Sequence, residues 1–157
     1  MAQPGFVLDT NLMVLFVVGL TSPTEVGRHQ RLVKFEPSDF DLLVKVLNGC
    51  GGPTLIPNVV TETSTLLGHG RKSSTDDYAQ VLAGLIRDLD EVYVASKDAV
   101  ERSDFARLGV TDSALLQMAS EEFDLLTDDE PLYRTAVEVG CRAVLFSQLR
   151  EYARQIR

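Results

Sequence analysis

Two hydrophobic rhythms alternate along this chain. Short apolar runs at Phe6-Val7-Leu8, Thr54-Leu55-Ile56, Val92-Tyr93-Val94, Phe123 to Thr127 and Ala143 to Phe146 are bounded by polar or turn residues and predict buried strands. Helical spacing fills the gaps. Asn11 to Val18 predicts a helix that is apolar on nearly every side, stopped by Gly19 and Pro23. Ser38, with Asp41 three residues on, reads as the cap of a helix through Leu47 that ends at Asn48-Gly49. Asn58 caps a helix to Leu67, and Ser74 or Thr75 caps a long one carrying Tyr78, Val81, Leu82, Leu85, Ile86 and Leu89 at helical spacing. Further helices are predicted over Asp98 to Leu108, over Asp112 to Glu122 with Thr111 as cap, and from Pro131 to Val139.

Strands alternating with helices predict an α/β fold, a three-layer α/β/α sandwich around a central, mainly parallel sheet. Residues 1–157 read as one domain, with a helical insertion around 19–53 and a short C-terminal tail helix. Asp and Glu number 23 against 15 Lys and Arg, a net charge of −8. That balance argues against a nucleic-acid-coating protein or a basic membrane-surface module. It leaves room for nucleic-acid chemistry, because metal-binding carboxylates add negative charge that bound cations offset. Cys50 and Cys141 form no CxxC pair, so buried free thiols in a reducing compartment are expected. The first residues carry no basic leader pattern, and the apolar run Leu12 to Leu20 is too short to span a bilayer. A cytoplasmic protein is the expectation.

Acidic residues fall where strands hand over to helices or where helices begin: Asp9, Glu62, Asp112 and the pair Asp128-Asp129. Each has an ordinary explanation alone. Asp9 can cap a helix, Glu62 and Asp112 suit helix dipoles, and Asp128-Asp129 can form a turn. Together they are predicted at the C-terminal edge of a parallel sheet, where ligands bind. Clustered like charges call for a cation, and oxygen-only ligands point to Mg²⁺ or Mn²⁺.

Four segments carry a family resemblance: Val7-Leu8-Asp9-Thr10-Asn11, Ile56-Pro57-Asn58-Val59-Val60-Thr61-Glu62-Thr63, Thr111-Asp112-Ser113-Ala114-Leu115-Leu116 and Leu125-Leu126-Thr127-Asp128-Asp129. In order and spacing, over residues 6 to about 146, the chain resembles the PIN-domain ribonucleases. The resemblance implies a PIN-like fold and a Mg²⁺- or Mn²⁺-dependent endoribonuclease. It implies Asp9, Asp112 and Asp129 as metal ligands, Glu62 as ligand or water-orienting group, and either acid of the Asp128-Asp129 pair facing inward. Asn11, Ser113 and Thr127 become groups that orient carboxylates. Small PIN proteins are often toxins, so a small antitoxin partner and a homodimer are implied as well.

Arg28, Arg31, Lys34, Arg71 and Lys72 are the RNA-phosphate contacts that the sequence offers, although each also reads as solvated surface. His29 and His69 are too isolated to argue for zinc. Tyr78, Tyr93, Tyr133 and Tyr152 read as packing residues rather than base-stacking platforms. Two rivals stand beside the nuclease. An aspartyl phosphatase would need a second aspartate where Asn11 stands. A non-catalytic PIN-fold interaction module would need none of the acids.

Overall fold

The computed structural model describes residues 4–69, 72–119 and 122–157, with the side chains of 72 and 73 left aside. In chain order the elements are β1 (Phe6–Leu8), α1 (Thr10–Thr21), a 3-10 turn (Pro23–Glu25), α2 (Pro37–Asn48), α3 (Pro57–Leu67) and α4 (Lys72–Asp88). Then come α5 (Ser96–Val100), α6 (Phe105–Leu108), α7 (Val110–Ala119), β2 (Asp124–Thr127), α8 (Glu130–Glu138), β3 (Ala143–Leu145) and α9 (Phe146–Gln155). The three strands form one parallel sheet in the order β1-β2-β3, with Leu8 opposite Leu126 and Thr127 opposite Leu145. The fold is α/β.

Five strands were expected, and among the described residues only three form ladders. The segments around Leu55 and Glu91 lie alongside as extended chain joined by single bridges, Phe6 to Pro53 and Leu55 to Glu91. Thr54 N donates to Phe6 O, and Val92 N donates to Leu55 O, both at 2.8 Å. Pro53 has no N–H to give, and Pro57 already starts α3, so too little backbone remains for a ladder.

Several helix starts also moved. Glu36, not Ser38, caps α2, and Asp39 Oδ2 accepts from Glu36 N at 2.8 Å to close a capping box. The helix expected over 98–108 is two short pieces. Between them Arg102 Nε pairs with Asp104 Oδ1 at 3.1 Å, and Asp104 is buried. Helix α7 opens at Val110, so the Thr111 hydroxyl is free for other work.

Helix α1 is the centre of the core. Leu12 to Gly19 are buried without a break, and the helix packs on α2, α3, α4 and β2. The 19–53 stretch belongs to the same cluster through Val26, Leu32, Phe35, Phe40, Leu43 and Leu47. It is core, not decoration. Gly19 lets α2 approach: a Cβ there would lie 2.1–2.6 Å from three atoms of the Phe40 ring. Gly19→Ala is therefore expected to destabilise the fold by about 1–3 kcal/mol, read as a lower urea midpoint.

Helix α9 is tied back onto this region. Arg150 Nε donates to Asp39 Oδ1 and Arg150 Nη2 to Lys34 O, both at 2.9 Å. His29 is a packing residue, buried edge-on against Tyr78 at 5.9 Å, and burial lowers its pKa. Cys50 and Cys141 are free thiols, the second buried. Among the described residues no helix is long and apolar enough to cross a membrane.

Candidate active site

β1 ends at Leu8, and Asp9 turns the chain into α1. Its Oδ1 accepts from Leu12 N at 2.9 Å as the helix cap. Its Oδ2 accepts from the Thr127 hydroxyl and, at 2.8 Å, from Asp128 N. Parallel pairing of β1 with β2 makes this meeting possible, since it sets the ends of both strands side by side. Thr127 also accepts from Asp129 N at 3.0 Å. One buried hydroxyl thus links two acids. Asp129 in turn caps α8 through Leu132 N at 2.8 Å.

Glu62, in the second turn of α3, is held by two hydroxyls. Thr10 donates to Oε2 at 2.9 Å and Thr111 donates to Oε1 at 2.5 Å. Neither threonine was singled out from sequence for this role. Both adjoin an acid in the chain, Asp9 and Asp112, and that adjacency is the only signal the sequence held.

Asp9, Asn11, Glu62, Asp112 and Asp129 line a single pocket of about 170 Å³, together with Thr10 and Leu66. Four carboxylates from four separate places in the chain therefore share one small space. Burial raises the pKa of Asp9, opposed by its hydrogen bonds from Thr127, Leu12 and Asp128. Asp112 is pushed up to about 7, first by burial and then by the charges of Asp129, Asp9 and Glu62. The pocket resists a full set of negative charges.

Other expected site residues lie elsewhere. Asp128 does not line the pocket. Its carboxylate is nearly buried and turned to Lys34, whose Nζ lies 2.6 Å from Oδ2, while Oδ1 has no hydrogen-bond partner among the described residues. Of the pair, Asp129 is the one that lines the pocket. Lys34 is thus ion-paired, with about half of its side chain still exposed. Ser113 is fully buried, and its hydroxyl meets no partner among the described residues. One residue along a helix turns the side chain by about 100°, so Asp112 facing the pocket sends Ser113 into the core. Arg28 pairs loosely with Glu25, and the Arg31 side chain, like that of Arg28, is not part of the pocket wall. Arg71 and the side chain of Lys72 lie outside the described residues.

Sequence reading also missed Arg107 and Arg134. Both line a cleft of about 540 Å³ that begins at Glu130, the residue after Asp129. Arg107 Nη2 donates to Thr135 Oγ1 at 2.9 Å, and Arg134 pairs with Glu130.

The pocket's donor chemistry suits a hard divalent cation: four carboxylates with the Asn11 amide and the Thr10 hydroxyl beside them, and Asp112 raised to about 7 by burial first and by its acidic neighbours second. Its present geometry is not a finished coordination shell. No three His, Cys, Asp or Glu side chains among the described residues converge tightly enough for one ion. The reason is visible in the hydrogen bonds, which occupy both oxygens of Asp9, both of Glu62 and one of Asp129.

No known protein family, curated protein or solved structure matches this chain.

Proposed function

We propose that this chain is a PIN-type endoribonuclease dependent on Mg²⁺ or Mn²⁺, with the three-layer PIN-like sandwich as its scaffold. The observation that carries the reading is the single pocket shared by Asp9, Glu62, Asp112 and Asp129, in which Asp112 is pushed to about 7. Asp9, Asp112 and Asp129 would hold the cation, with Glu62 as a further ligand or as the group that orients water. The cation supplies charge neutralisation at the phosphodiester and a water of lowered pKa.

The chain's own residues do the rest. Thr127 keeps Asp9 and Asp129 in register. Thr10 and Thr111 fix Glu62 on the opposite wall. The Asp112 carboxyl can hold a proton near neutral pH and release it as positive charge enters the pocket. Asn11 adds an amide at the pocket wall. Arg134 is paired with Glu130, so Arg107, hydrogen-bonded to Thr135, is the positive group that the cleft beside Asp129 offers a polyanionic substrate.

A second reading is favoured by one observation, the absence of a preassembled ligand trio among the described residues. It is the non-catalytic PIN-fold interaction module. Mn²⁺ titration followed by thermal unfolding separates the two. The nuclease should gain several degrees in Tm at saturating Mn²⁺ and cleave single-stranded or structured RNA only without chelator. An unmoved Tm together with intact RNA would leave the interaction module standing. A toxin–antitoxin setting, with a small antitoxin filling the pocket and a homodimeric toxin, extends the proposal. Finding a short reading frame that overlaps this one upstream would support it.

A further inference from the structure

A second cleft, of about 380 Å³, opens on the far side of Glu62. Tyr93 is at its edge with 77% of its surface exposed, which overturns its reading as a packing residue. Val92-Tyr93-Val94 alternates in the extended chain, so Val94 is buried and Tyr93 points outward. Tyr78, by contrast, is a packing residue at 1% exposure. The cleft lining is apolar at Val94, Pro57 and Val110, and its polar groups include the Asn58 amide and the Ser96 and Thr61 hydroxyls. No described residue hydrogen-bonds the side chains of Tyr93, Asn58 or Ser96. Glu62 and Thr111 belong to this cleft too, and Glu62 also lines the carboxylate pocket. The two spaces share a wall.

We infer that this cleft is a nucleobase site, where a base of single-stranded RNA stacks on Tyr93 and presents its edge to Asn58 and Ser96. The inference rests on the ribonuclease reading, because it places the base one shared wall away from the carboxylates. An exposed flat ring beside an apolar floor suits the face of a base. An amide offering both donor and acceptor, with a hydroxyl, suits the edge. The volume lies within the range of ordinary small-ligand pockets. The cleft shows no Lys or Arg in its lining, so it is built for the base rather than for the phosphate.

Fluorescence anisotropy with labelled RNA hexamers tests this on the full chain, with Ca²⁺ in place of Mg²⁺ to keep the oligomer intact. Tyr93→Ala should weaken binding about tenfold. Tyr93→Phe should bind as the wild type does, since the ring is kept. A hexamer of abasic residues should bind the wild type no better than the normal hexamer binds Tyr93→Ala. Asn58→Ala should change the preference among oligo-A, oligo-C and oligo-U. Equal binding by wild type and Tyr93→Ala, or no binding by the wild type, overturns the inference. RNA cleavage is scored separately. Tyr93-dependent binding without cleavage keeps the base site and discards the nuclease, and cleavage with Tyr93-independent binding does the reverse.

Discussion

Asp9→Ala is expected to cost about 3 kcal/mol of folding stability and to abolish cleavage. Alanine removes the cap of α1, worth about 1 kcal/mol, and leaves the Asp128 N–H and the Thr127 hydroxyl without their acceptor. The raised pKa of Asp9 means that burial of its charge outweighs what these bonds give the ionised form, which keeps the figure from being larger. Asp9→Asn is the gentler probe. Its carbonyl can still accept from Leu12 N, but its amide meets the Asp128 N–H donor to donor. About 1–2 kcal/mol should be lost, with the chain still folded and catalysis gone. Urea unfolding reads the first effect and an RNA cleavage assay the second. Wild-type turnover by Asp9→Asn would end the proposed mechanism.

Asp112→Asn should do the opposite to stability. In the folded chain Asp112 keeps its proton to about 7, whereas its ordinary value is 3.8. Between these values the native state holds a proton that the unfolded state has released. Stability therefore falls as pH rises from about 4 to 7, and the penalty is fully present above 7. The amide carries no charge to repel, so without metal the variant should melt about 3–6 °C above the wild type at pH 8. The two should converge below pH 4. Saturating Mn²⁺ should raise the wild type and leave the variant where it was, and the variant should not cleave RNA. A variant no more stable than wild type at pH 8 in chelator would mean that the four carboxylates do not strain one another. This is the pattern expected where function and stability compete.

The alternation of short apolar runs with helical spacing was legible because it depends on local period alone, and the structure carries it as an α/β fold. Strand quality was less legible. Leu55 and Val92 look like strand residues, yet whether they ladder depends on the prolines flanking one segment and on the brevity of both. The site divides in the same way. Asp9 could be placed from sequence because it caps a helix directly after a parallel strand. The direction of Asp128 could not, because it is set by Lys34, far away in the chain. The grip of Thr10 and Thr111 on Glu62 was equally hidden, since it joins three elements that meet only in space. Tyr93 was misread because a V-Y-V run says that one face is buried without saying which.

The bond between Thr127 and Asp9 spans 118 positions of chain. While the polypeptide is being synthesised, Asp9 emerges early and can cap α1, but its second oxygen has no Thr127 hydroxyl to accept from until β2 has cleared the ribosome. Shortened products that stop just before residue 127 carry the first three acidic segments without the strand end that joins Asp9 to Asp129. The wall that joins Asp9 to Asp129 is closed by the docking of one late strand.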